Sequence, residues 1–245
     1  MADETKSAII TGSSRGIGAA IAERLADDGF AVAINYSGDA APAEELAGKI
    51  ESSGGQAMAI KADVSDPAAV ARMFDEAIAR FGGVDVLVNN AGIMNLAPLA
   101  EADDKMFDQQ VAINLKGVFN CLREAAKRMR DGGRIISSSS SVVGLYQPTY
   151  GVYAATKAAV EAMTHILSKE LGERRINVNA IAPGPTATEL FLEGKPKEVV
   201  DRIADMTPLG RLGEVDDIAR AVSFLAGPDG EWVNGQVLRV NGGIV

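Results

Sequence analysis

Tyr153 and Lys157 stand four residues apart in the Ala-rich stretch Y-G-V-Y-A-A-T-K, residues 150–157. On a helix that spacing stacks two side chains one above the other on one face. A free phenol has a pKa of about 10 and is a poor acid-base group at neutral pH, but an ammonium a few ångströms away favours the phenolate. At about 4 Å and an effective dielectric near 20, the attraction is about 4 kcal/mol before solvent screening, enough to bring a phenol toward a working range. The pair predicts a proton-transfer centre in which Lys157 lowers the pKa of Tyr153. The same spacing also occurs in amphipathic helices with a Tyr at the rim, so its weight depends on what else the chain brings to the same place.

The first such feature is near the start. Ser7–Thr11 reads as a short buried strand running into Gly12-Ser13-Ser14-Arg15-Gly16-Ile17-Gly18 and then an Ala-rich helix to about Asp28. Glycines allow close approach of backbone to a pyrophosphate, and a helix N-terminus adds unpaired N–H groups and a favourable dipole. The spacing is G-x-x-x-G-x-G rather than G-x-G-x-x-G, and close packing at a strand-to-helix turn is the competing explanation. The second strand, Ala31–Asn35, ends in Tyr36-Ser37-Gly38-Asp39. NAD sites place a carboxylate at this strand end to hold the ribose hydroxyls, whereas NADP sites lack it and provide a cation. Tyr36 occupies the strand end and Arg15 supplies a cation, so the preferred cofactor is NADP(H), with Asp39 leaving NAD(H) open. Asn35, Tyr36 and Ser37 join Ser14 and Arg15 as candidate cofactor contacts.

Further elements alternate along the chain. Pro42–Ser52 predicts a helix, Gln56–Lys61 a third strand and Asp63-Val64 its C-terminal turn, where an adenine would sit; Asp63 serves equally as a turn former. Asp66 and Pro67 suit the cap and first turn of the next helix. Val84–Val88 is an apolar strand ending in Asn89-Asn90-Ala91-Gly92, whose Asn side chains fit either loop structure or cofactor contact. A long helix is expected over Lys105–Arg130, with Asn114 amid apolar neighbours, where its amide needs partners and either bends the helix or holds a water. Arg134–Ile136 then runs as a strand into five serines, Ser137–Ser141. Ser140, thirteen residues before Tyr153 and four past Ile136, is placed to aim its hydroxyl at the same carbonyl as Tyr153. Ile176–Ala182 is a sixth strand, ending in Pro183-Gly184-Pro185-Thr186-Ala187-Thr188. The stretch that follows, about 188–210, mixes Phe191, Leu192 and Met206 with charges and predicts a mobile lid, or else an amphipathic surface helix pair. Val215–Ala226 is a helix, Gln236–Val240 the last strand, and Asn241–Val245 a small apolar end suited to a subunit contact.

Composition bounds the rest. With 245 residues and 47% apolar content the chain buries a full core, and no linker or composition shift divides it, so residues 1–245 form one domain. The alternation of strands and helices is the α/β pattern. M-A-D-E-T-K reads as neither a signal nor a transit peptide, and no apolar run approaches the roughly 20 residues of a membrane span. A single cysteine, Cys121, excludes an intramolecular disulfide and fits a reducing cytoplasm. The single histidine, His165, has no partner for a metal site. A formal charge of −9 argues against nucleic acid and anionic membranes as partners.

T-G-S-S-R-G-I-G, N-N-A-G, N-L-K-G, the serine strand, Y-A-A-T-K and A-P-G-P-T-A-T follow one another in the order seen in the short-chain dehydrogenase/reductases. The chain resembles that family over nearly its whole length, and most resembles its 3-oxoacyl-[acyl-carrier-protein] reductase-like branch, down to the ending G-Q-V-L-R-V-N-G-G. The resemblance implies a Rossmann-type, doubly wound, seven-stranded parallel sheet with helices on both faces. It implies that Tyr153 donates or accepts the proton, that Lys157 lowers its pKa and holds the nicotinamide ribose, that Ser140 polarises the carbonyl and that Asn114 anchors a water in a proton relay. Gly12, Arg15, Gly16, Ile17 and Gly18 would bind the pyrophosphate side, Asp63 and Val64 the adenine, and Asn90, with Ala91 and Gly92, the ribose region. Pro183, Gly184, Thr186 and Thr188 would meet the carboxamide, although Pro185 is unusual in that turn. Aligning S-V-V-G on the catalytic serine would select Ser141, whereas counting from the strand and from Tyr153 selects Ser140. The implied function is an NADP(H)-dependent interconversion of a ketone and a secondary alcohol, with a 3-oxoacyl thioester as substrate. A small ketone, sugar or steroid is the alternative, and a non-catalytic redox sensor is the reading outside enzymes. An acyl-carrier partner would need a basic patch, for which Lys127, Arg128, Arg130 and Lys169 are candidates. The resemblance also implies a homotetramer, with the Tyr153 helix and the long helix before it packed on symmetry mates.

Overall fold

Strands without polar alternation, such as S-A-I-I and V-L-V-N, must be covered on both faces. In the computed structural model, which describes residues 5–245, helices provide that cover. The first four residues of the polar N-terminal stretch therefore lie outside the described residues. The chain runs β1 (Ser7–Ile10), α1 (Gly16–Asp27), β2 (Ala31–Tyr36), α2 (Ala41–Ser52), β3 (Ala57–Lys61), α3 (Pro67–Phe81) and β4 (Val86–Asn89). It continues through α4 (Asp104–Gln110), a π-helical segment (Val111–Gly117), α5 (Val118–Arg128), β5 (Arg134–Ser138), α6 (Val142–Leu145) and α7 (Gly151–Glu170). The last part holds β6 (Asn177–Pro183), α8 (Glu189–Leu192), α9 (Lys197–Met206), α10 (Val215–Ala226) and β7 (Val237–Val240).

All seven strands pair in parallel in the order β3-β2-β1-β4-β5-β6-β7. Two apolar layers flank the sheet. One gathers Met73, Phe74, Leu122 and Val160 from α3, α5 and α7; the other gathers Ile21, Leu25, Leu46 and Val222 from α1, α2 and α10. The order turns back on itself between β1 and β4, so the loops after these strands diverge and open a crevice at the strand C-termini, where doubly wound sheets bind ligands.

Local chemistry sets the element ends. The Asp66 carboxylate accepts from Ala68 N at 2.8 Å with Pro67 at the first helical position, a cap worth about 1 kcal/mol. Gly82, at φ +82°, closes the same helix. Two boundaries differ from the sequence expectation in ways that matter. The helix after the glycine loop begins at Gly16, so Gly16, Ile17 and Gly18 belong to its first turn. The helix expected over 105–130 is interrupted by the π-helical segment around Asn114, where the buried amide makes hydrogen bonds to a neighbouring loop and the regular ladder gives way.

Candidate active site

A cleft of about 1160 Å³ lies across the strand C-termini and is lined by the loops after β1, β2, β3, β4, β5 and β6. Every candidate cofactor contact from Gly12 to Thr188 lines it, together with Ser140, Tyr153 and Lys157. A second cavity of about 530 Å³ sits at the other end of the sheet, between α1 and α2, lined in part by the exposed Lys49–Glu23 pair; it gathers none of the candidate site residues.

The glycine loop is shaped by backbone collisions. Gly12 has φ +60°, and a Cβ there would come within 2.8 Å of Ala91 Cα; at Gly18 it would come within 2.5 Å of Gly12 O and 2.7 Å of Ser13 Cα. The loop is also tied down from beneath. Gly12 N donates to Asn35 Oδ1 at 3.0 Å, and Thr11 Oγ1 accepts from Asn90 N at 3.0 Å and Ala91 N at 3.1 Å. Asn90 Nδ2 donates to Thr11 O and Gly12 O at 3.0 and 2.9 Å. Asn35, expected as a cofactor contact, and Asn90, expected either to support the loop or to contact the cofactor, both brace the loop with their amides while lining the cleft. Asn35 is buried, and its Nδ2 donates to Tyr36 O, Ile60 O and Ala62 O, which ties the ends of β2 and β3 together. Val64 is buried against Gly117, where a Cβ would come within 2.6 Å of Val64 Cγ2, and Asp63 Oδ1 accepts from Ser65 N and Oγ as a turn former while its residue still faces the cleft.

At the mouth, Arg15 is exposed and lies 3.7 Å from Glu189 of α8. Tyr36 ends β2 and Ser37 follows it, neither a carboxylate; Asp39, three residues past the strand end, still lines the cleft while its Oδ1 accepts from Ala41 N at 3.1 Å. On the far side, Gly184 leaves room for Asn241, whose Cα a Cβ would approach within 2.7 Å. Thr186 bridges to Gly213, and Thr188 caps α8 by accepting from Phe191 N at 3.2 Å. These assignments fit a phosphorylated dinucleotide: a helix N-terminus behind a backbone cradle, an exposed guanidinium at the mouth and no strand-end acid.

The chemistry-bearing groups converge deeper in. Lys157 is buried; its Nζ donates to Ser138 O at 2.7 Å and lies 5.7 Å from the Tyr153 ring centre. Burial pushes its ammonium down to about 8. Burial also pushes the Tyr153 phenol up, to about 12, while the hydrogen-bonded Ser140 hydroxyl pulls it down and Tyr150 adds a smaller upward push. Removal from water dominates this shift, and Lys157, expected to lower the phenol pKa, directs its ammonium at the Ser138 carbonyl. Tyr153 lines the cleft and is only partly buried, so water screens part of the upward push. Of the two serines, Ser140 meets the phenol. Ser141 Oγ instead donates to Ala182 O at 3.1 Å and accepts from Asn241 Nδ2 at 3.0 Å.

Asn114 is fully buried in the π-helical segment. Its Oδ1 accepts from Ile93 N at 2.9 Å, and its Nδ2 donates to Ile93 O at 2.8 Å and Thr156 Oγ1 at 3.4 Å. A Cβ on Gly92 would stand 3.2 Å from Asn114 Oδ1 and 3.7 Å from Lys157 Nζ, so the three residues meet around one point.

Sequence reasoning missed part of the wall. Ile93, Met94, Leu145, Gln147, Tyr150 and Ile244 also line the cleft. Tyr150, one turn before Tyr153 and edge-on to it at 6.5 Å, had a helical-spacing signal; Ile244 arrives from the far end of the chain and had none. The proposed basic patch is not near the cleft. Arg128 is the last residue of α5 and Arg130 lies just beyond it, where the chain leads into the start of β5 at the opposite end of the sheet. Lys127 pairs with Glu124, Arg128 with Asp75 and Glu124, and Arg130 with Asp85. No helix among the described residues is long and apolar enough to cross a membrane.

Residues 12–245 match a family model described as Enoyl-(Acyl carrier protein) reductase. A short-chain type dehydrogenase/reductase of Picea abies is 47% identical over 97% of this chain and 92% of that protein. An NADPH-dependent aldehyde reductase-like protein, chloroplastic, of Arabidopsis thaliana is 47% identical over 97% of this chain and 93% of its own. The crystal structure of a short-chain dehydrogenase from Burkholderia cenocepacia in complex with NADP superposes with a TM-score of 0.93 at 38% identity, covering 98% of this chain and 97% of that one.

Proposed function

The chain belongs to the short-chain dehydrogenase/reductase family, and from that premise we propose that it is an NADP(H)-dependent oxidoreductase interconverting a carbonyl compound and its alcohol. The observation that carries this reading is the hydrogen-bonded Ser140–Tyr153 pair beside buried Lys157, at the inner end of a cleft with a backbone phosphate cradle at its outer end. Arg15 at the mouth and the lack of a strand-end acid support the phosphorylated cofactor, as do the NADPH named for the Arabidopsis relative and the NADP held by the Burkholderia structure.

When bound, the cofactor supplies or takes the hydride. Ser140 Oγ and Tyr153 Oη hold the carbonyl oxygen, and the neutral phenol, favoured by burial, gives its proton as negative charge develops there. Lys157 orients the ribose side and, still mostly protonated at pH 7, stabilises the phenolate left behind. Asn114 holds the loop at Ile93 and closes the floor behind Lys157.

A small free carbonyl compound is the better substrate reading than a carrier-bound 3-oxoacyl thioester. The wall presents apolar Met94, Leu145, Tyr150, Phe191, Ile203 and Met206 among polar and charged residues that include Gln147, Glu193 and Arg202, and Lys127, Arg128 and Arg130, the cations named for an acidic carrier, lie at the other end of the sheet. The reading extends to a homotetramer, supported by the exposed Phe107, Phe119 and Ile166 on α4, α5 and α7. It also extends to a reducing, cytoplasmic setting, supported by the buried Cys121 thiol, pushed up to about 12 by burial and so inert.

The test follows loss of reduced-nicotinamide absorbance with NADPH or NADH and aldehydes, diketones, simple ketones, a 3-oxoacyl thioester and an enoyl thioester. NADPH consumption with a free carbonyl compound is expected, and Tyr153→Phe should lower kcat/KM by about 10²–10⁴-fold. Turnover of the enoyl thioester alone would replace carbonyl with alkene reduction. Tight NADPH binding without any turnover, unaffected by Tyr153→Phe, would support a sensor.

A further inference from the structure

Ser138, Ser139 and Ser140 are consecutive, and each meets a different residue of α7. Ser138 O accepts from Lys157 Nζ at 2.7 Å, Ser139 Oγ donates to Glu161 Oε1 at 2.5 Å, and Ser140 is hydrogen-bonded to Tyr153. On the helix these partners stand at i, i+4 and i+8, one stripe of one face. An extended strand sends neighbouring side chains to opposite faces. β5 ends at Ser138 and the chain turns into α6 at Val142, so Ser139 and Ser140 can both reach the helix.

We propose that Glu161 is a positioning residue for the reaction, acting through Ser139 to fix the end of β5 against α7 so that Ser140 and Tyr153 hold one substrate oxygen. The inference rests on the catalytic reading of Ser140 and Tyr153 above. Its physical basis is that the reacting pair sits on two separate elements. Ser140 stands beyond the last sheet pairing of β5, which joins Ser138 to Ile181. From there to α6, the strand end is held on the sheet side by Ser139 N on Ile181 O at 2.7 Å and Ser141 N on Pro183 O at 3.0 Å. On the helix side, the side-chain tie that involves neither Ser140 nor the Lys157 ammonium is Ser139–Glu161. Ser139 is 3% exposed, so water does not compete freely for its hydroxyl, and a bond to an ionised acceptor is the stronger kind. Without it, the serine strand can slide along the helix face by a fraction of an ångström, which is enough to weaken a two-donor grip on one oxygen.

The experiment compares Glu161→Ala, Glu161→Gln, Ser139→Ala and the Glu161→Ala/Ser139→Ala double variant, with Tyr153→Phe alongside, in steady-state kinetics with NADPH and the best carbonyl substrate. NADPH dissociation constants are measured by fluorescence. The expected result is a fall in kcat of about tenfold to hundredfold for Glu161→Ala and for Ser139→Ala, with KM and NADPH affinity nearly unchanged. The double variant should be no worse than the worse single one, because both remove the same bond. Glu161→Gln, which keeps an acceptor oxygen toward Ser139, should recover most of the loss. A kcat within twofold of wild type in Glu161→Ala, additive losses in the double variant, or a loss confined to KM or NADPH affinity would each overturn the role. If Tyr153→Phe keeps full activity, the catalytic reading itself fails, whatever Glu161 does.

Discussion

The loop after β1 and the segment from Thr188 to Gly210 face each other across one cleft and are held in opposite ways. The loop's backbone is fixed by Thr11, Asn35 and Asn90, and a Cβ on Gly12 or Gly18 would collide with other backbone atoms. The opposing segment has a capped short helix, α8, and then α9, which buries none of its residues; Val199, Met206 and Leu209 are 43%, 51% and 70% exposed. A cofactor common to many reactions needs a fixed cradle, whereas a substrate must enter, so the two sides should respond differently to the same size of change.

The largest expected effect tests how dry the fixed side is. Lys157 is held down to about 8 against an ordinary value near 10.5, so between these pH values the unfolded chain binds a proton that the folded chain lacks. The resulting cost to stability is fully present below pH 8 and is relieved as pH rises to 10.5, a gain of up to about 3 kcal/mol. Tyr153 acts later and oppositely: its phenol, pushed up from 10 to about 12, keeps a proton the unfolded chain loses, so its contribution declines over that window. Urea unfolding at successive pH values should show the rise, and Lys157→Met should abolish it. A rise that persists in the variant would mean the ammonium sits in a wetter place than its burial indicates.

Next in size is Gly18→Ala. The new methyl would meet Gly12 O at 2.5 Å and Ser13 Cα at 2.7 Å, both pinned backbone, and the strain should cost about 1–3 kcal/mol of stability along with most NADPH affinity. Gly172→Ala, which meets nothing within 4 Å, is the control expected to stay within about 0.5 kcal/mol. Equal effects from the two changes would remove the distinction between cradle and surface glycines.

The contrast between the two sides also explains what could be read from the chain. The cradle was legible because a strand, three glycines and a helix start are local in sequence, and the Tyr153–Lys157 stripe was legible because helical spacing is local too. The roles of Asn35 and Asn90 were not, because a side chain that braces a loop and one that holds a ligand have the same composition and neighbours; only the partners' positions separate them. The upward push on the Tyr153 phenol was not legible for a related reason: charge spacing is visible in sequence, while removal from water is a property of the packed site. The π-helical break at Asn114 depends on Ile93, twenty-one residues away, and left only the mark of a polar residue in an apolar run.

Arg15 and Glu189 connect the two sides, and their change should be smaller. Both side chains are mostly exposed, at 81% and 79%, so the 3.7 Å pair contributes little to stability. Arg15→Ala should leave unfolding unchanged within about 0.5 kcal/mol while lowering the NADPH-over-NADH ratio of kcat/KM about tenfold, since a charge-assisted contact to the extra phosphate is lost. An unchanged ratio would assign cofactor choice to the Tyr36–Ser37 strand end instead.

The smallest effect is expected at Leu209→Ser. At 70% exposed, Leu209 loses little burial when truncated, and its backbone N still donates to Gly242 O at 3.3 Å. Stability should stay within about 0.5 kcal/mol. If the segment closes over substrate, however, Leu209 gains apolar contact only in that state, so KM for an apolar carbonyl compound should rise about two- to fivefold, with the NADPH dissociation constant unchanged. If the segment is only an amphipathic surface pair, KM will not move. A fall in kcat with KM constant would instead place Leu209 in the step that limits turnover, and the segment would then be held to one arrangement as firmly as the cradle opposite it.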